Sequence, residues 1–215
     1  MDLDFSLIMQ KMPNLLRGAE TTLLYSLISL VLGVILGIII ALMRDSTHKV
    51  LSSISWFYIW IFRGTPLMVQ LFIIYYGFSQ FDIVMSPFTA GILGLTLNNA
   101  SYISEIVRSG IKGVDPGERE AAKALGMSYP LEMMRIVAPQ ATLLCLLPMV
   151  NQFISTIKNS SILSVITIAE LTREGQIIAN SSFRYFEVYI TIGILYLLMT
   201  SLCMILASWL ERKLS

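Results

Sequence analysis

Histidine, cysteine and charge are what this sequence has least of. It contains one histidine and two cysteines, and only 13% of its 215 residues are charged, against about a quarter in an ordinary soluble domain. Each shortage removes a class of chemistry. His48 lies beside Lys49 in a polar turn and reads as a solvated turn residue rather than a ligand. No Ser/His or paired-carboxylate set occurs at one depth in an apolar run, which argues against an intramembrane enzyme and leaves no catalytic residue to name. Cys145 and Cys203 both sit within apolar segments, so neither a disulfide framework nor a metal site is expected. No G-x-x-x-x-G-K-[ST] loop is present to cradle nucleotide phosphates. A formal charge of +1 gives no concentrated basic face for nucleic acid. The first residues begin acidic and lack the basic start and small-residue cleavage site of a signal peptide, so no segment is expected to be removed.

What the chain has is apolar length. With 55% hydrophobic residues and a mean hydropathy of +0.73, it reads as an all-α integral membrane protein. Residues 21–43 run without a charge, long enough to cross a hydrocarbon core of about 30 Å. Further spans are expected over about 51–78, 88–107, 135–157 and 183–210, making five in a membrane domain over 21–215. Before it, residues 1–20 place Phe5, Ile8, Met9 and Met12 at helical spacing opposite Asp4 and Lys11, the pattern of an interfacial amphipathic helix.

Several spans carry features that lipid would not tolerate. The second is interrupted at Arg63-Gly64-Thr65-Pro66, where proline removes a donor and disfavours helix at the residue before it. Backbone groups freed at membrane depth belong against protein or a wet cavity. Arg63 either faces such a cavity or snorkels from a kinked helix. Asn98, Asn99, Ser101, Tyr102 and Glu105 make the third span an interior one, with the asparagines either lining a path or joining helices. Gly33 and Gly37 form a small-xxx-small pair suited to close helix approach. The fourth span ends in a polar run through Asn151, Ser155, Lys158 and Asn159. Residues 161–180 hold too many charges to span comfortably and read as a re-entrant or interfacial helical hairpin. Tyr185, Tyr189 and Trp209 stand near the ends of the last span as interfacial anchors.

Between the third and fourth spans lies a polar island from Gly117 to Pro139, GEREAAKALGMSYPLEMMRIVAP. Pro116 suits a first helical turn, Glu118 and Glu120 suit the positive end of the dipole, alanines propagate the helix, and Gly126 offers a left-handed stop. A helix over about 117–126 is too short to span a bilayer. Its Ala121, Ala122 and Leu125 face could nestle in a groove while Glu118, Arg119 and Lys123 stay in water.

Glu120-Ala121-Ala122, then Gly126, Ile136 and Pro139, resemble the EAA motif of ATP-binding-cassette importer permeases, with Ala138 where leucine is usual. The stretch FRGTPLMVQLFIIYYG resembles the second span of the polar amino-acid uptake subfamily, and NQFISTIKNSS resembles a segment containing a Lys-Asp-Thr-Ser string, here with Asn159 and Ser160 in place of Asp and Thr. The resemblance implies a type I importer fold in which Glu120, Ala121, Ala122, Leu125 and Gly126 couple to an ATPase. It further implies a dimer of that ATPase, an extracytoplasmic binding protein and a second permease, identical or homologous. No cofactor is expected on this chain, since ATP and magnesium would belong to the ATPase. The missing carboxylate at Asn159 puts any cationic-substrate specificity in doubt.

Charge asymmetry orients the chain independently of resemblance. Arg44, Lys49, Arg108, Lys112, Arg119, Lys123, Arg135, Arg212 and Lys213 fall on one side, and Lys11, Arg17, Lys158, Arg173 and Arg184 on the other. The richer side is cytoplasmic, which puts the N-terminus outside a bacterial inner membrane. The substrate path is expected from Gly64, Thr65, Gln70, Asn98, Tyr102, Glu105, Asn151, Ser155, Lys158 and Asn159. Amides freed near Gly64 would meet an amino acid's carboxylate and Glu105 its ammonium, unless Glu105 pairs with Arg108 one turn on. A polar amino acid is the expected cargo and cystine the alternative. A secondary ion-coupled transporter would need no ATPase and leaves the docking helix unexplained. A structural scaffold leaves Arg63 and the polar third span without purpose.

Overall fold

The computed structural model describes residues 5–214, and no strand occurs among them. Asp4 lies outside the described residues, and the side chains of Leu210, Lys213 and Leu214 outside what is described. The long helices are α1 (Ser6–Arg44), α2 (Lys49–Gly64), α4 (Pro87–Lys112), α7 (Ala138–Asn159) and α9 (Tyr185–Leu214), with short α3 (Leu67–Phe72), α5 (Pro116–Ala124), α6 (Tyr129–Glu132) and α8 (Leu171–Ser182) between them. By length and composition Ser6–Arg44, Tyr129–Ile166 and Tyr185–Trp209 can each cross a membrane, and Lys49–Gly64 with Leu67–Phe81 would make a fourth crossing if the bent pair is one span. α4 is 26 residues long but too polar to join them. Its Asn98, Asn99, Ser101 and Ser104 are instead buried within the protein.

α4 is the central element, and glycine brings its neighbours in. A Cβ on Gly37 of α1 would stand 2.7 Å from Ile103 Cγ2, and one on Gly33 would stand 2.9 Å from Asn99 Cβ. The small-residue pair therefore marks the seam between α1 and α4.

No break separates residues 6–20 from the first span. α1 is continuous across them, and Ile8, Leu15 and Ala19 pack with Leu171, Ile178, Val188 and Ile192. The interfacial reading put Ile8 on a lipid face with Phe5 and Met9, whereas it is 3% exposed and Met9 is 73% exposed. α8 and α9 supply the missing partner surface, which lies more than 150 residues away in sequence. Residues 161–180 divide into two helical pieces, the first continuing α7. A 3-10 turn over Ser160–Ile166 ends at Thr167 in the left-handed region, and α8 follows from Glu170.

The fourth long helix starts earlier than expected. α6 opens with Pro130 in its first turn and runs through a π turn, Met133–Val137, into α7. Pro139 has no amide to return to Arg135, and the wider turn sits where the regular ladder is interrupted.

Candidate functional site

The second span breaks where the sequence places the break, and the bend is 106°. That is too sharp for a proline kink in a continuous helix. Thr65 and Pro66 are extended, and α3 begins at Leu67. The carbonyls set free are taken up within the protein. Gln70 Nε2 donates to Phe62 O at 2.9 Å, to Thr65 O at 3.1 Å and to Thr65 Oγ1 at 2.9 Å. Asn98 Nδ2 in turn donates to Gln70 Oε1 at 3.1 Å. Gln70 and Asn98 thus close the break. Thr65 Oγ1 donates to Ile61 O at 2.8 Å, so the Ile61, Phe62 and Thr65 carbonyls all have partners, and Pro66 offers no amide.

Arg63 sits at the lip of this break. Its guanidinium lies 5.3 Å from the centre of the Tyr102 ring, a cation–π arrangement. It lines a cavity of about 470 Å³ between α2, α4 and α7, with Tyr102, Glu105, Ser109, Pro148 and Gln152. A second cavity of about 510 Å³ shares Arg63, Tyr102 and Glu105 and adds Arg44, Trp60 and Arg108. Of the two readings of Glu105, the structure has the helical pair: Arg108 donates to it at 3.2 Å. Three guanidinium groups face one carboxylate across this paired space, so it favours anionic groups.

The expected path residues do not all converge. Tyr102 and Glu105 line the cavity, while Gln70 and Asn98 are buried in the closed break. Gly64 and Thr65 are exposed at the bend. On α7, Asn151 and Lys158 are exposed and Ser155 and Asn159 half-buried. The next face of that helix turns inward. Gln152 Nε2 and Thr156 Oγ1 both donate to Asn99 Oδ1, at 3.0 and 2.8 Å, and Asn99 Nδ2 reaches Ser29 Oγ at 3.4 Å. Arg63, Ser109 and Gln152 line the cavity without having been assigned to the path. Spacing alone could have found Ser109, which stands seven residues after Tyr102 on the same stripe.

α5 is a short helix with its own start and stop signals. Asp115 Oδ1 caps it by accepting from Gly117 N at 2.8 Å, and Pro116 occupies the first turn. At its end Met127 N donates to Ala122 O at 3.1 Å and Gly126 N to Lys123 O at 2.9 Å. Gly126 is at φ +74°. That is a Schellman stop, and the left-handed residue is where glycine is favoured. Glu120, Ala121 and Leu125 point outward, Leu125 being 82% exposed. Ala122 is turned inward at 3% exposure, so the expected apolar face is split by the protein's own packing. Glu118 and Arg119, expected in water, take partners: Gln140 donates to Glu118, and Arg119 Nε donates to buried Glu132.

Residues 33–215 match the family of binding-protein-dependent transport system inner membrane components. The chain is similar to the nopaline transport system permease protein NocM of Agrobacterium fabrum, at 40% identity over 96% of this chain and 91% of that one. It is also similar to the arginine transport system permease protein ArtQ of Bacillus subtilis, at 36% identity over 100% and 98%. Among solved structures, an amino acid ABC transporter with histidines superposes with a TM-score of 0.95 at 41% identity, covering 99% of this chain and 100% of that one. The methionine ABC transporter MetNI shares the fold, with a TM-score of 0.78 at 19% identity over 96% and 98%. With the capped EAA helix, the broken span and the polar cavity in place, the chain belongs to the family of inner membrane components of binding-protein-dependent transport systems, as one of its amino-acid ABC transporter permeases.

Proposed function

We propose that this chain forms half of the membrane path of an importer for a polar amino acid, with five spans, the N-terminus outside and α5 in the cytoplasm. The observation that carries the reading is α5 itself, a capped helix whose Leu125 projects 82% exposed beside Ala121 and Glu120. An apolar side chain so exposed on a rigid cytoplasmic helix suits a groove on a partner protein. The partner is an ATPase that binds ATP and magnesium. A second permease covers the polar α7 face of Asn151, Ser155 and Lys158, which lipid would not accept. A binding protein delivers the amino acid from outside.

The path runs along that α7 face and into the cavity of Arg63, Tyr102 and Glu105. Motion of the docked ATPase subunits rocks the helices between outward-open and inward-open states. Relatives named for nopaline and arginine support an amino-acid cargo, and Asn159 in place of a carboxylate supports a neutral polar one over a cation. The test is reconstitution in proteoliposomes with its partner ATPase and binding protein. Hydrolysis stimulated by one or more amino acids is expected. No stimulation across a full amino-acid panel would overturn the cargo class, and no ATPase co-purifying with the chain would overturn the docking role.

A further inference from the structure

A carboxylate hidden from solvent joins the docking helix to the helix that follows it. Glu132, the last residue of α6, is 1% exposed, and it accepts from Arg119 Nε of α5 at 2.8 Å. Carboxylates are seldom fully buried unless paired, and removing one partner leaves a charge stranded. Glu132 is too enclosed to touch another chain, so its charge acts only within this protein. Directly after it comes the π turn Met133–Val137 and then α7. Other contacts run the same way. Gln140 near the start of α7 donates to Glu118 of α5, and Val114, just before α5, packs with Val137 and Ala141. Glycines flank the helix at Gly113 and Gly126, the latter in the left-handed region. Without a side-chain tie, α5 could swing on those two points and leave α7 still.

We propose that Arg119 and Glu132 are a positioning pair that makes α5 and the base of α7 move as one body. Displacement of α5 then turns the helix that carries Asn151, Gln152 and Ser155 rather than flexing the loops. The proposal rests on the reading of α5 as the helix that docks on an ATPase. Arg119 lies on that helix, so Glu132, which cannot reach the ATPase, is the residue to change.

The experiment uses the whole transporter in proteoliposomes and counts amino acid imported per ATP hydrolysed. The probe is a labelled mixture of all the polar amino acids, cystine included. Glu132→Gln and Glu132→Ala are each expected to co-purify with the ATPase and hydrolyse ATP, with import per ATP lowered about tenfold, the scale of an ordinary coupling energy. The exchanged pair Arg119→Glu/Glu132→Arg is expected to recover most of that loss. An unchanged ratio in both single variants, an equal fall in import and hydrolysis, or an exchange no better than the single variants would overturn the pair. Failure of the docking reading looks different: Leu125→Arg would co-purify as well as the unaltered chain. Absence of import by the unaltered chain would instead overturn the cargo class.

Discussion

The interior of α4 and the exterior of α5 are both polar interruptions of an apolar sequence, and they are finished in opposite ways. Inside, the two asparagine side chains are used up on neighbours. Asn99 joins α1 through Ser29 and α7 through Gln152 and Thr156, and Asn98 with Gln70 closes the bend of the second span. Outside, the backbone is satisfied by its own cap and stop while Glu120, Ala121 and Leu125 are left projecting. Polar residues at membrane depth therefore hold helices in place, and the residues available to a partner are those that the chain leaves uncovered. The groups left uncovered are Arg63 at the rim of the cavity and Leu125 on α5.

The sharpest way to break this comparison is to wedge the interior seam. In Gly37→Leu the new side chain begins 2.7 Å from Ile103 and 3.2 Å from the Ala100 carbonyl, so α1 and α4 must separate. A loss of about 3 kcal/mol is expected, the upper range for overpacking a close contact. The denaturation midpoint in detergent measures it, and an unchanged midpoint would mean the seam is loose. The exterior counterpart is Leu125→Arg. Binding to the ATPase should weaken by about 2 kcal/mol, as for loss of a central apolar anchor, while the denaturation midpoint stays within about 0.5 kcal/mol of the original. Co-purification and melting on one preparation separate the two effects. A variant that unfolds while still binding would reverse the assignment.

A smaller effect is expected from Asn99→Leu, which removes the acceptor shared by Gln152 and Thr156. Buried groups left unpaired cost about 1–3 kcal/mol each. Thr156 also donates to Gln152 O at 2.8 Å, and interhelical hydrogen bonds in membranes average about 0.6 kcal/mol, so the net loss should be about 1 kcal/mol. A double-mutant cycle with Thr156→Val checks it. Additive losses would show that Asn99 is a space-filling residue rather than a junction.

α5 was legible because what defines it is local: Pro116 opens it, Gly126 stops it, and no distant residue is needed to see this. The bend at Thr65-Pro66 was legible for the same reason. Direction around a helix was not. Asn151 and Gln152 are adjacent, yet a step of about 100° sends one outward and the other to Asn99. Only the position of α4 decides which of them belongs to the seam. Arg119 read as a solvent residue because its partner, Glu132, lies beyond a turn and a proline. Residues 1–20 read as a separate unit because Arg17 and Glu20 interrupt the apolar run, while the surface that buries Ile8 and Leu15 is made by α8 and α9.

Glu170 tests the comparison most finely, because it is an interior group built like an exterior cap. It is 0% exposed and begins α8 by accepting from Thr172 N and Arg173 N, each at 2.8 Å, and from Tyr196 Oη at 2.9 Å. Thr22 of α1 accepts nearby from Leu171 N. Burial raises the carboxyl pKa above its ordinary 4.5, although these hydrogen bonds pull it down in part. The folded chain therefore holds this proton more tightly than the unfolded one, and between the two pKa values it carries more protons. Stability from this group is greatest below the unfolded value and declines as pH rises through the raised folded value. Glu170→Gln keeps an acceptor for the helix start and cannot ionise. The melting midpoint of the unaltered chain should fall relative to that of the variant as pH climbs from about 4.5 toward the raised folded value. Parallel midpoints across that window would show that the three donors to Glu170 fully offset its burial, making it as saturated as Asn99.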